Sequence, residues 1–258
     1  MECALAYSRG GNVAEGVSDA VDPALAEAIA HIEKTPDNDG AWDALEQLAD
    51  DLQQPDEVFA AYRAALDKGL SKTTAPLVAD RAVKFCQGWY IDTPEAMPDL
   101  LNQIVARYPA IDWAFERLVA LYTSSASWEE LLALYDKALA ATRSEKKRMK
   151  LLGEASDLAK DFADQPDRAA DYLQQLLRLE PDNDKHVSAL ERLLERRERW
   201  AELLTLWHEQ IPKLSTEDAR ATRARTAKIF LEKLNAPDRA VAELRDLVEE
   251  NPGHVEAC

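Results

Sequence analysis

The sequence predicts an all-α fold built from consecutive antiparallel helix pairs. Three observations support this prediction: a composition rich in helix formers, a repeat of about 72 residues, and short amphipathic segments inside each repeat. Gly is scarce, with 8 residues among 258, whereas Ala, Leu and charged residues dominate. The sequence lacks long alternation of apolar and polar residues, which would indicate strands, so no sheet is expected.

Prolines mark the repeat, because two series of them recur at nearly constant distances. The first series is Pro36, Pro109, Pro181 and Pro252, at separations of 73, 72 and 71 residues, and the second is Pro23, Pro94, Pro166 and Pro237. The sequence around them recurs as well, since residues 165–169 (QPDRA) return as residues 236–240 (APDRA). A period of this length holds two helical hairpins of about 36 residues each.

The positions of the helices follow from the apolar spacing and from the residues at helix ends. A leading helix is predicted over residues 23–34, where Leu25, Ile29 and Ile32 share one face. Six helix pairs are predicted to follow it, over residues 41–68, 75–107, 112–141, 147–179, 184–212 and 219–250. Each helix is too short to be stable alone, so neighbouring pairs must stack on each other.

The helical-repeat domain is predicted to span residues 23–258, after a mobile tail of residues 1–22. The helix at 23–34 has the phase of a second helix whose partner is missing. Residues 251–255 (NPGHV) resemble the phrase that begins at Pro181 and introduces a new pair. We therefore expect this sequence to be a piece of a longer repeat array.

The apolar spacing resembles that of the tetratricopeptide (TPR) repeat over roughly residues 23–258. Three segments carry the resemblance most clearly. They are Trp42, Leu45, Ala49, Val58, Tyr62 and Ala65; Phe115, Leu118, Tyr122, Leu131, Tyr135 and Ala138; and Ala224, Ala227, Leu231, Ala240, Leu244, Leu247 and Pro252. Bulkier residues than the pattern expects, such as Glu46 and Leu131, occupy some close-contact positions, so a related class such as the half-a-TPR repeat is an alternative.

The resemblance implies a right-handed superhelical solenoid of stacked antiparallel helix pairs, with a concave groove lined by the first helix of each pair. Such grooves bind an extended peptide or a helix of a partner protein, and such proteins are scaffolds or adaptors rather than enzymes. By TPR spacing, four basic residues would lie near the concave face: Lys150, Lys185, Arg192 and Arg225. A basic strip there would select an acidic segment of the partner, although ordinary surface charge also explains these residues.

Trp89 is a candidate aromatic anchor for a partner protein. It lies in the run Gly88-Trp89-Tyr90-Ile91, which we predict to be a turn. Exposed aromatic side chains are frequent binding anchors, which favours this role. Packing in the core is the competing interpretation.

Other functional classes find less support in the sequence. The net charge of −17 disfavours nucleic acid and anionic membranes, and an RNA-binding repeat would also need a basic groove with base-reading side chains. The three cysteines and four histidines are scattered, so no disulfide, metal site or cofactor is predicted. A catalytic helical domain is disfavoured because nucleophile-elbow, P-loop and GxGxxG motifs are absent.

Two smaller expectations concern a possible calcium loop and the location of the protein in the cell. Residues 37–40 (DNDG) hint at a calcium loop, but they supply too few ligands, and helix capping explains them and the related residues 182–185 better. The sequence shows neither a secretory signal nor a membrane-spanning stretch, so a cytoplasmic location is expected.

Overall fold

The structure, a computed structural model, describes residues 21–250, and all regular elements in that range are helical. The α-helices of this range are α1 (Pro23–Ile32), α2 (Asp39–Leu52), α3 (Pro55–Lys68), α4 (Thr74–Trp89), α5 (Ala96–Arg107), α6 (Asp112–Ser124), α7 (Trp128–Ala141), α8 (Glu145–Asp161), α9 (Pro166–Leu179), α10 (Asp184–Arg196), α11 (Trp200–Gln210), α12 (Thr216–Glu232) and α13 (Pro237–Glu250). A short 3-10 turn, Ile211–Lys213, follows α11. The all-α prediction is confirmed for the described residues.

The predicted pairs correspond to α2 with α3, α4 with α5, α6 with α7, α8 with α9, α10 with α11, and α12 with α13. Their outer limits lie within three residues of the predicted ones. Of the predicted tail, residues 1–20 lie outside the described residues, as do residues 251–255. Asp22 belongs to the fold, because its carboxylate accepts a hydrogen bond of 2.8 Å from the Ala24 backbone N–H and caps α1.

Amide side chains cap two helices at equivalent positions of the repeat. The side-chain oxygen of Asn38 accepts a hydrogen bond from the Ala41 backbone N–H at the start of α2. That of Asn183 accepts hydrogen bonds from the backbone N–H groups of Lys185 and His186 at the start of α10. The predicted capping role is confirmed at both positions, and these bonds satisfy backbone donors that the first helical turn leaves unpaired.

Most pairs reverse direction through a single residue with a left-handed backbone. Positive φ angles occur at Gln53, Ala126, Asp164, Glu198 and Asn235, each between the two helices of its pair. A residue with a side chain adopts this conformation at some cost, so its recurrence at one place in the repeat indicates that the tight reversal is built into the repeat. The α4–α5 pair differs and uses the longer connection of residues 90–95.

The described chain divides into two compact units, residues 21–115 and residues 116–250, with the boundary inside α6. Unit 1 has its core between α2, α3 and α4, where Trp42, Leu45 and Tyr62 are completely buried. In unit 2, Leu152 and Leu203 are completely buried in the same way. The predicted array of residues 23–258 therefore contains two compact units within its described part.

Side-chain ion pairs show the order in which helices stack in unit 1. Arg81 of α4 contacts Asp43 of α2, which joins the first helices of two consecutive pairs. Lys68 of α3 lies 2.8 Å from Glu33, the C-cap residue of α1, and this contact joins two second helices, because α1 has the phase of a second helix. Helices of the same kind therefore lie side by side in two layers, as the repeat predicts.

Unit 2 shows the same order. Arg225 of α12 lies 2.6 Å from Glu191 of α10, so the first helices of these two pairs are neighbours. Arg168 of α9 lies 2.6 Å from Asp136 of α7, so the second helices are neighbours as well. The translational regularity expected of a helical repeat is present within each unit, and the right-handed superhelix remains a prediction.

Candidate functional site

In unit 1, an open groove of about 530 Å³ lies between the first helices α2 and α4. One wall is α2, which carries the acidic stripe, defined as Asp39, Asp43, Glu46 and Asp50, and all of these except Asp39 line the groove. Their spacing of four, three and four residues puts them on one face of the helix. The other wall is α4, with Arg81, Lys84, Phe85 and Trp89.

Arg81 ties the acidic stripe to α4. Its guanidinium contacts Asp43, lies 3.3 Å from a carboxylate oxygen of Glu46, and lies 3.6 Å from one of Asp39. Burial opposes the charge of Arg81, but the hydrogen bond to Asp43 and the nearby carboxylates outweigh it, so the pKa of Arg81 is raised. Arg81 is therefore committed to the fold and is not available to an acidic ligand.

Asp50, the last residue of the acidic stripe, has no such partner. Its carboxylate makes no ion pair with any residue that the structure describes. Lys84, on the facing helix, is already 2.7 Å from Asp80 of its own helix. Asp50 therefore presents an exposed, uncompensated negative charge to the groove.

A row of aromatic rings leads from the core of unit 1 to the edge of the groove. The rings of Trp42 and Tyr62 are stacked, with centroids 4.2 Å apart and planes at 6°. Phe85 lies 5.7 Å from Tyr62, and Trp89 lies 6.2 Å from Phe85, measured between ring centroids. Trp89 ends the row and is half-buried, so one side of its indole faces the groove.

The predicted turn at residues 88–91 is wrong, because Trp89 is the last residue of α4. Gly88 suggested a turn, but it lies inside the helix and a Cβ there would meet no other atom, so no glycine-specific conformation is involved. Tyr90 is the C-cap residue of the helix, and its backbone N–H still donates to the Cys86 carbonyl oxygen at 2.9 Å. The role of Trp89 as an anchor remains a prediction.

Each of the four predicted basic residues lies in the first helix of a pair, Lys150 in α8, Lys185 and Arg192 in α10, and Arg225 in α12. Arg225 is already paired: its guanidinium lies 2.6 Å from Glu191, 2.7 Å from Glu195, and 4.3 Å from the Trp207 ring centroid. The sequence alone does not reveal this pairing, because Arg225 comes from the next helix pair.

The other three predicted basic residues differ in the contacts that they already make within the protein. Lys150 lies 3.7 Å from Glu154, one turn along the same helix. Arg192 donates from Nε to the Ser188 carbonyl oxygen at 3.0 Å. Within residues 21–250, neither Arg192 nor Lys185 makes an ion pair, so these two cations are the most accessible of the four.

The position in unit 2 that is equivalent to the α2–α4 groove, between α10 and α12, carries different charges. Asn183 follows Asn38 by 145 residues, and Arg225 follows Arg81 by 144, which aligns α10 and α12 with α2 and α4. At both positions the arginine bridges two first helices. At two other aligned positions the charge differs: Gln47 of unit 1 corresponds to Arg192, and Trp89 corresponds to Lys233. The groove of unit 1 is thus the more acidic and the more aromatic.

A second cleft, in unit 1, lies between α1 and α3. It has a volume of about 350 Å³ and is lined mainly by apolar residues, including Ile29, Ala60 and Ala61. At the equivalent position of unit 2 the cleft is crossed by a hydrogen bond of 2.6 Å from Gln174 to Glu202. Small alanine side chains leave the unit 1 cleft open.

Metal-binding clusters and membrane-spanning helices are absent from the part of the chain that the structure describes. Across residues 21–250, no three His, Cys, Asp or Glu side chains are grouped so as to hold a metal ion. Nor does that range include a helix with the length and hydropathy needed to cross a membrane. Cys86 is buried in the core of unit 1, as its apolar context predicts.

No protein-family model matches the chain, and no curated protein matches it. Solved structures do: PilF of Pseudomonas aeruginosa is 14% identical, with 91% of this chain and 96% of that chain covered and a TM-score of 0.32. YrrB, described as a TPR protein with an unusual peptide-binding site, is 14% identical, with 89% and 95% covered and a TM-score of 0.32. The C-terminal part of a TPR repeat-containing protein from Cytophaga hutchinsonii is 13% identical, with 91% and 93% covered and a TM-score of 0.34.

The molecule's own geometry carries the fold assignment. Helix pairs recur at a fixed period, and most of them reverse direction through a residue with a left-handed backbone at an equivalent position. Within each unit, first helices lie beside first helices and second helices beside second helices. The described part of the chain is an all-α helical repeat of stacked antiparallel helix pairs, the architecture that the resemblance to TPR repeats implies.

Proposed function

We propose that the chain is a non-catalytic interaction scaffold that binds an extended peptide or a helix of a partner protein in the grooves between consecutive first helices. The observation that carries this proposal is the open groove between α2 and α4. It combines exposed carboxylates with a partly exposed indole, at Asp50 and Trp89. Peptide-binding sites use this combination, because the aromatic surface supplies affinity and the charges select the partner.

The predicted basic strip supplies a second candidate site for the same function, in unit 2. Lys185 and Arg192 are exposed cations without an ion-pair partner among residues 21–250, which supports the binding of an acidic segment. The pairing of Arg225 with two glutamates weighs against its own participation. Lys150 lies on a different pair and would contact only a ligand that extends from α10 to α8.

The function is tested by fluorescence anisotropy with the complete chain and two pools of short labelled peptides. In the basic pool, Lys or Arg alternates with Leu, Phe and Gly; in the acidic pool, Glu and Asp replace the basic residues. We expect saturable binding of at least one pool at physiological ionic strength, with micromolar affinity typical of short peptides. Binding should weaken in Trp89→Ala for the unit 1 groove, or in Arg192→Glu with Lys185→Glu for the unit 2 strip. Saturable binding of neither pool, or binding that all these variants retain, would refute the proposal.

A further inference from the structure

The charge on α2 is unusually one-sided. The helix contains five carboxylates and neither Lys nor Arg: Asp39, Asp43, Glu46, Asp50 and Asp51. Carboxylates one turn apart on a helix repel each other, so the acidic stripe lowers the stability of α2. Arg81 offsets this cost for three members of the stripe, but Asp50 lies beyond its reach and keeps its charge uncompensated.

An apolar surface lies in the same groove as Asp50. Trp89 is half-buried at the end of the row of rings, and Phe85 beneath it is almost completely buried. The row is anchored in the core by Tyr62 and Trp42, which fixes the orientation of the indole. A rigid aromatic surface loses little conformational entropy when a partner side chain packs on it.

The equivalent position of unit 2 lacks both the unpaired carboxylate and the indole. The carboxylate that aligns with Asp50 is Glu195, and it lies 2.7 Å from Arg225. Arg192 stands where unit 1 has Gln47, and Lys233 stands where it has Trp89. The ammonium group of Lys233 lies 5.4 Å from the Trp200 ring centroid, so this position presents a cation. The common architecture therefore does not require an unpaired carboxylate beside an indole, and this combination is specific to unit 1.

From these observations we infer that the α2–α4 groove is selective for a basic segment of a partner protein. The segment carries a Lys or Arg that pairs with Asp50, close to an apolar or aromatic side chain that packs on Trp89. This inference rests on the proposed function and specifies the partner of one of its grooves. A second copy of the chain does not suit this groove, because two molecules of net charge −17 repel each other.

The test compares the affinity of the basic peptide pool for the complete chain and four variants. Asp50→Asn should weaken binding about two- to fivefold, as expected for one exposed ion pair. Trp89→Ala should weaken it about tenfold or more, as expected for an aromatic anchor. The matched controls are Asp67→Asn, an exposed carboxylate on α3, and Trp113→Ala, a half-buried tryptophan on α6; both should leave the affinity unchanged.

Three results of these binding measurements would refute the selectivity of the groove for a basic segment. If Asp67→Asn weakens binding as much as Asp50→Asn, the attraction comes from the overall negative charge and the inference fails. Equal affinity of the basic and acidic pools would also overturn it. If only the acidic pool binds, and charge reversal at Arg192 abolishes that binding, the proposed function stands while this inference fails. A circular-dichroism melt of Trp89→Ala shows whether the variant is folded, and Asp50→Asn tests the groove independently.

Discussion

Replacement of Tyr62 by Phe isolates one hydrogen bond between the core and the acidic stripe. Tyr62 is completely buried, and its ring stacks on Trp42. Its hydroxyl donates to the carboxylate of Glu46, which also accepts from Arg81. Burial and this hydrogen bond raise the pKa of Tyr62, so the hydroxyl keeps its proton and its donor role at all moderate pH values. Phenylalanine preserves the ring and removes only the donor.

The cost follows from the environment of the bond. A hydrogen bond to a charged group contributes about 1.5–3 kcal/mol to stability. The Glu46 side chain is 34% exposed and keeps Arg81, so the variant leaves no buried charge unpaired. We therefore expect the free energy of unfolding to fall by about 1–2 kcal/mol. In a domain of the size of unit 1, each kcal/mol lowers the melting temperature by about 4–8 °C. Tyr62→Ala, which also removes the ring, should cost about 3–5 kcal/mol.

Hydrogen exchange with mass spectrometry reports this loss locally, in peptides from α2, α3 and α4. In Tyr62→Phe their exchange should accelerate, while peptides from α10 and α11 of unit 2 should exchange at the wild-type rate. Urea unfolding followed by circular dichroism gives the total change. A free energy of unfolding within about 0.3 kcal/mol of the wild-type value would show that the hydroxyl is not bound to a charged carboxylate, since that is the contribution of a minor surface contact.

Three further predictions follow from single residues. Asn183→Ala should cost about 1 kcal/mol and accelerate exchange in the first turn of α10, whereas Asn183→Ser, which keeps an acceptor for the cap and adds no charge beside Glu180, should lose less stability. Burial and a hydrogen bond to Asp136 raise the pKa of Tyr172 from 10.0 to about 12. The contribution of this tyrosine to stability is therefore complete below pH 10 and is lost as the pH rises through 12. In urea unfolding across this range, the free energy of unfolding should decline less in Tyr172→Phe than in the wild type. Ala61→Leu, which copies Leu206 of the equivalent cleft, should stabilise unit 1 by about 0.5–1 kcal/mol, and a lower melting temperature would instead show that the cleft cannot accept the larger side chain.

Much of the fold could be predicted because helix formation in this chain depends on residues that are close in sequence. The apolar spacing fixes which face of each helix is buried, and Asn38 and Asn183 mark helix starts by the hydrogen bonds their side chains make. The prolines of the repeat at Pro23, Pro166 and Pro237 stand in first turns, where no backbone donor is needed. None of these features depends on contacts with distant residues.

The candidate site was less predictable because it depends on which helix lies beside which. The basic strip was proposed from positions on single helices, and the pairing of Arg225 with Glu191 and Glu195 emerges only when α12 is placed against α10. The acidic stripe of α2 was visible in principle, since its members follow helical spacing. The sequence does not show which helix forms the opposite wall of the groove. In the structure this wall is α4, where Arg81 neutralises three of the carboxylates and leaves Asp50 unpaired.

Hydrogen exchange of the complete chain, with and without the basic peptide pool, tests the central claim most directly, that partners bind between consecutive first helices. The account predicts slower exchange in peptides from α2 and from the end of α4 around Trp89, and no change in the second helices α3 and α5. Protection confined to the second helices, or spread evenly over the chain, would contradict it.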